Sequence, residues 1–146
     1  MSRSRKHDHA LAALRELIMA SESYRQTVAH QLGMGVTETQ ALSNLYASTS
    51  MGQTELADAL GITTSSVTSL IDRMERSGLV KRQPHPRDRR RTVVQLTKYG
   101  VESVERTRTW FVRALDDVAD EQLDEVTQML ASLARNLRAA TSRIPR

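Results

Sequence analysis

Between Gln53 and Asp72 the chain reads QTELADALGITTSSVTSLID, a pattern that admits few folds. Ala57 is small enough for two helices to cross closely over it, and Gly61 suits the turn between them. Val67 and Leu70 lie one helical turn apart and so share the buried side of the second helix. Soon afterwards comes the basic run HPRDRRR, His85 to Arg91. A helix sized for a major groove beside an arginine-rich tip implies a DNA-binding head.

The second helix of this pair has a particular outward face. With Val67, Leu70, Ile71 and Met74 turned inward, Thr64, Ser65, Ser66, Thr68, Ser69 and Arg73 are left facing out. Ser and Thr are weak helix formers, and a merely soluble face would be better served by Lys, Glu or Ala. Small hydroxyl side chains let a helix backbone approach base edges, and a longer arm such as Arg73 reaches phosphate or guanine. Thr54, read as the cap of the preceding helix, is counted with the DNA-facing set.

The basic run divides two short β-branched-rich stretches, Leu79 to Gln83 and Arg91 to Thr97. They predict a hairpin with a long loop over Pro84 to Arg90. Pro84 and Pro86 stiffen that loop, and Asp88 can pair with a neighbouring arginine and with backbone N–H groups. Arg87, Arg89 or Arg90 can then enter a narrow minor groove.

Charge is segregated along the chain. Leu79 to Lys98 holds seven basic residues and one acid, whereas Asp116 to Glu125 holds six acids and no base. The acidic block reads as a solvated face; the basic block gains meaning from the helix pair beside it. Length fits one ordinary domain of 146 residues, and aliphatic-rich, aromatic-poor composition favours helices. The chain has no cysteine, which excludes disulfides, thiolate metal sites and thiol redox sensing. With no signal-peptide core and no run of about 18 apolar residues, a cytoplasmic protein without a membrane span is expected.

Long helices are predicted on both sides of the head. His9 to Leu32 carries the stripe Leu11, Leu14, Ile18, Val28 and Leu32, and Gly33 and Gly35 stop it. Thr37 is read as the cap of a second helix, with a connector over Thr49 to Gly52 before the third. Thr63 or Thr64 caps the fourth helix. Thr97 caps a fifth that lasts to about Val118, and Asp120 caps a sixth reaching roughly Ala140. In this last helix Leu123, Val126, Leu130, Leu133, Leu137, Ala140 and Ile144 form a heptad seam. Packing within the same chain is one reading; a homodimer interface shared with the first helix is the other. Residues 1–8 are expected to be a disordered basic tail and Pro145-Arg146 a frayed end.

The stretch TELADALGITTSSVTSLIDRMERSGLVKRQPHPRDRRRTVVQLTKYG, Thr54 to Gly100, resembles the winged helix-turn-helix of the MarR (multiple antibiotic resistance regulator) family. The specific part is IDRMERSGLV (Ile71 to Val80), followed by the patterns P-x-D-R-R and L-T-x-x-G. The resemblance implies a mainly α fold with a small β-hairpin wing, the head at about 37–98, and dimerisation helices at about 9–32 and 98–144 in one domain spanning 9–146. It also implies a homodimer on a pseudo-palindromic double-stranded DNA operator, acting as a ligand-responsive repressor. By that likeness Ser65, Ser66, Thr68, Ser69 and Arg73 fall on the recognition helix. Asp88 and Arg90 match the wing pair, and Arg87 or Arg89 lies at its tip. His85 departs from the family, whose members often carry an acid there, and places a titratable group near DNA.

In similar proteins a small aromatic or anionic effector sits between head and dimerisation helices. Candidate lining residues here are Met19, Tyr24, His30, Tyr46 and Trp110. The alternative for these side chains is packing at the dimer contact. His7-Asp8-His9 is a weak metal signal, so no metal or cofactor is expected. No phosphate-binding glycine loop or nucleophile motif points to an enzyme. Rival readings are an activator or architectural DNA-binding protein without an effector, and a winged-helix protein-interaction module.

Overall fold

The computed structural model describes residues 3–144, and contacts divide the chain into two compact units that meet at 107/108. Met1, Ser2 and the expected frayed end at Pro145-Arg146 lie outside the described residues.

In the first unit, α1 (Arg3–Leu32) leads to α2 (Val36–Ser48), β1 (Ser50–Gly52), α3 (Gln53–Leu60) and α4 (Thr64–Arg76). The wing follows as β2 (Val80–His85) and β3 (Asp88–Leu96), and then α5 (Lys98–Val112) begins. The helix α1 starts inside the stretch 1–8 expected to be disordered. Nothing from Arg3 to His9 is Pro or Gly, so the helix continues upstream of its apolar stripe. Only its last turns pack well: Val28 and Ala29 are buried, while Leu11, Ile18 and Met19 are exposed.

Helix starts show how local chemistry overrides a simple residue preference. The sequence reading placed caps at Thr37 and Thr54, but the capping residues are Gly35 and Gly52. In each case the glutamate three residues on reaches back. Glu38 Oε2 accepts from the Gly35 N–H at 3.0 Å, and Glu55 Oε2 accepts from the Gly52 N–H at 3.2 Å. Thr63 is the cap of α4, its Oγ1 accepting from the Ser66 N–H at 3.2 Å. Thr97 caps α5 as expected, with Oγ1 accepting from the Gly100 N–H at 3.0 Å.

The core sits inside the helix pair and its neighbours. Leu42 and Leu45 of α2, Leu56 and Ala57 of α3, and Val67, Leu70, Ile71 and Met74 of α4 are all buried. Gly61 takes φ +67, the left-handed turn that sets α4 across α3. Truncating one of these large side chains to alanine would cost about 2–5 kcal/mol.

The sheet has a strand that the sequence reading treated as a connector. Ser50–Gly52 pairs antiparallel with β3, Met51 opposite Val94, giving the order β1-β3-β2. The wing loop is also shorter than expected over Pro84 to Arg90. The strands run to His85 and resume at Asp88, leaving Pro86-Arg87 as the turn. The register jumps from Pro84 opposite Thr92 to His85 opposite Asp88, so Arg89, Arg90 and Arg91 form a bulge without cross-strand partners in the ladder.

The second unit holds the end of α5, short 3₁₀ turns at Arg113–Leu115 and Asp120–Gln122, and α6 (Leu123–Thr141). The fifth helix therefore ends at Val112 rather than Val118, passing into the 3₁₀ turn at Arg113–Leu115 ahead of the acidic block that begins at Asp116. No residue of α6 is buried, and Met129, Leu130 and Leu137 of its apolar side are exposed.

Candidate nucleic-acid interface and cavity

The outward face of α4 is built as the sequence implies. Thr64, Ser65, Ser66, Ser69 and Arg73 are exposed and Thr68 is half-buried. Their hydroxyls are ordered by short-range bonds: Thr63 Oγ1 donates to Ser66 Oγ at 2.9 Å, and Thr68 Oγ1 donates to the Thr64 carbonyl at 2.8 Å. Thr68 also accepts from Gln53 Nε2, which brings the start of α3 to the same face. Thr54, next to Gln53, is exposed in the first turn of α3. Gln53 was not among the residues singled out from the sequence; the glycine cap makes it the first residue of α3 and so places it beside Thr68.

The wing tip carries its charge free of the protein surface. The Arg90 side chain is 98% exposed, with Nε 3.9 Å from Asp88 Oδ1, while the Arg90 N–H donates to that same oxygen at 3.1 Å. Asp88 therefore shapes the turn and weakly orients the arginine. The Arg87 N–H donates to His85 Nδ1 at 3.1 Å, so His85 serves as the turn acceptor where the family often has an acid. Arg87 and Arg89 are exposed alongside.

What fixes the wing against the helix is Arg82, a residue that sequence reasoning counted merely as charge. Its Nη1 donates to Glu75 Oε2 and its Nη2 to Asp72 Oδ1, each at 2.6 Å, and its backbone N–H donates to Glu75 Oε1 at 3.0 Å. That backbone hydrogen bond is the main reason the Glu75 carboxyl is held below its usual range. The hydrogen bond to Asp72 leads in raising Arg82 above the ordinary guanidinium value. Both carboxylates lie on the C-terminal half of α4, so β2 is bolted to the helix through three hydrogen bonds.

A cavity of about 350 Å³ is walled by α1, α2, α3 and α5. Tyr24, Arg25 and Val28 line one side, Gln40, Ser43 and Asn44 another. The Tyr24 hydroxyl donates to the Thr107 carbonyl at 2.9 Å, and desolvation raises its pKa. Arg25 pairs with Glu22 at its tip, while its buried Nε has no hydrogen-bond partner among the described residues. Of the five side chains expected at an effector site, Tyr24 lines this cavity. Met19 does not: it is 73% exposed on a stretch of α1 that packs against little. His30 is exposed, and the Tyr46 hydroxyl donates to Glu105 at 3.4 Å, outside the lining. Trp110 belongs to the other unit. Among the described residues no group of three or more His, Asp or Glu is placed to hold a metal ion, and no helix is long and apolar enough to cross a membrane.

Comparison with known proteins agrees with this architecture. The family model described as MarR family matches residues 36–92. The chain is 36% identical over 93 residues to the HTH-type transcriptional regulator YcgE of Bacillus subtilis, covering 64% of this chain and 60% of that protein. It is 34% identical over 77 residues to the HTH-type transcriptional repressor IacR of Pseudomonas putida, covering 50% and 46%. The HTH-type transcriptional regulator YfiV of Bacillus subtilis is 31% identical over 114 residues, covering 75% of this chain and 71% of the relative. The chain thus spans less than two thirds of the length of YcgE and IacR. A MepR variant from S. aureus superposes with a TM-score of 0.74 at 22% identity, covering 88% of this chain and 96% of that one. The S. aureus MepR–DNA complex superposes with a TM-score of 0.57 at 25% identity, covering 84% and 98%. On the match to YfiV, the family model and the winged helix-turn-helix itself, the chain belongs to the MarR family.

Proposed function

We propose that this chain is a non-enzymatic, cytoplasmic transcriptional regulator: a homodimeric repressor that grips a pseudo-palindromic double-stranded DNA operator and responds to a small ligand. The observation that carries it is the hydroxyl-rich outward face of α4, bolted by Arg82 to a wing whose Arg89–Arg91 bulge is exposed. Such a head fits a major groove with α4 and an adjoining minor groove with the wing tip. Residues at about 37–98 are the head. Helices at about 9–32 and 98–144 are the dimerisation elements, because the apolar sides of α1 and α6 are left uncovered in the single chain. A partner copy would place the two recognition helices about 34 Å apart.

The cavity supports the ligand response. It is large enough for a small aromatic acid, with Tyr24 as an apolar wall bearing a hydroxyl and Arg25 as a cationic one. The names of IacR as a repressor and of the MepR–DNA complex support repression through DNA contact.

The test is a mobility shift with duplexes selected from a random pool, paired with sedimentation of the free protein. A dimer should bind with affinity that falls steeply with salt, as counterion release from several phosphates requires. A monomer at working concentration, or indifference to duplexes in low salt, would overturn the proposal.

A further inference from the structure

Arg73 is the long cationic arm on the outward face of α4, four residues after Ser69 and seven after Ser66, so the three share one stripe. In the free protein this arm is already engaged. Its Nε donates to Glu38 Oε1 on the first turn of α2 at 3.3 Å. The other oxygen of the same carboxylate, Oε2, accepts from the Gly35 N–H at 3.0 Å. Both oxygens are thus tied, and the carboxylate is sheltered at 20% exposure while Arg73 reaches outward at 53%.

We propose that Glu38 is a positioning residue for the recognition helix: it holds Arg73 as a phosphate would, and must yield it to the operator, so it sets the affinity of the head. This rests on the DNA-binding reading above. A phosphate or guanine edge that takes the Nε side of the guanidinium competes with Glu38 for the same N–H, so separating the pair subtracts from binding. Thr39 and Gln40, next along α2, line the cavity, so a ligand that shifted the first turn of α2 would carry this carboxylate with it.

A double-mutant cycle tests the idea: wild type, Glu38→Gln, Arg73→Ala and the double variant, titrated with a duplex that the wild type selects from a random pool. Glutamine keeps an oxygen for the Gly35 N–H, so the start of α2 is retained. Glu38→Gln should bind about two- to fivefold more tightly at low salt, the worth of one partly exposed ion pair. The gain should shrink in high KCl and vanish in the Arg73→Ala background. A gain that persists without Arg73 reflects removal of a negative charge near DNA and overturns the proposal; so does unchanged or weaker binding by Glu38→Gln. The Arg73 Nε–H resonance of the wild type gives a reading that needs no variant. It should shift at duplex saturation, and an unmoved signal overturns the proposal as well. A wild type that binds no duplex sinks the DNA-binding reading itself, whereas the other failures leave that reading intact.

Discussion

Arg82 Nη2 lies 2.6 Å from Asp72 Oδ1 and, with the two hydrogen bonds to Glu75, fastens the wing to α4. A groove-reading helix and a groove-flanking wing can add their binding free energies only if their spacing is fixed before DNA arrives. Replacing Arg82 by Met keeps the apolar stem and the backbone N–H to Glu75 but removes both guanidinium bonds. Because both carboxylates are well exposed, the stability loss should be modest, about 1 kcal/mol by thermal unfolding. The loss in DNA affinity should be the larger effect; equal affinity in the variant would show that the wing finds its place unaided.

Acid should loosen the same joint. The Arg82 N–H and guanidinium hold the Glu75 carboxyl low, so the folded state binds its proton less readily than the unfolded chain. The stabilisation is therefore complete above the ordinary glutamate range, about pH 4.3, and is lost as pH falls through the depressed folded value. Comparing wild type with Glu75→Gln across pH should show a constant stability gap at neutral pH that closes in acid. A gap that widened in acid would reverse the assigned sign.

The wing tip should matter for binding and not for folding. Arg90→Ala removes a side chain that is almost fully solvated, so its melting temperature should match wild type. Duplex affinity should drop, and the slope of log affinity against log salt should fall by about one. A variant with wild-type affinity and slope would move the minor-groove role to Arg87 or Arg89.

Sequence preference should sit on α4. Ser66→Ala leaves the Thr63 cap of the backbone in place while removing one exposed hydroxyl. If Ser66 reads a base, discrimination at that position should relax by about 1–3 kcal/mol with little change in stability. Selection experiments returning the same consensus for both proteins would assign Ser66 to phosphate contact or to none.

Gly100 tests how the head is joined to α5. A Cβ built there would lie 2.1 Å from the Leu79 carbonyl oxygen, a backbone atom that cannot swing aside. Gly100→Ala should cost about 1–3 kcal/mol, read by chemical denaturation. Wild-type stability would mean that the helix shifts freely along the strand.

How far the sequence could be read depended on whether a feature was local. The inward stripe of α4 and the Thr97 cap depend on neighbours a turn away, and spacing alone placed them. The Thr37 and Thr54 caps failed because the intrinsic preference for threonine was weighed without the glutamates that reach back to Gly35 and Gly52. Strand β1 is three residues long and forms because β3 offers it an edge, a fact no local pattern holds. Arg82 and Glu38 were legible as charges, but their partners lie seven to thirty-five residues away in the chain. Several of the residues lining the cavity, among them Gln40, Ser43 and Asn44 of α2, are uncharged polar positions that no spacing singles out, and Tyr24 alone of the expected side chains is in the lining.

The arginine bulge has a further effect on how copies of this protein behave toward one another. β1 shields β3 only along Gly52 to Ser50, and the outer reach of β3 past Thr92 has no such cover. An uncovered ribbon end is where foreign chains add on and insoluble assemblies begin. Here that stretch bends out of register and bristles with like charge, and the opposing ribbon contributes Pro84, which lacks the N–H that an incoming chain would seek. A charged, out-of-register edge of this kind disfavours the addition of a further strand to the wing.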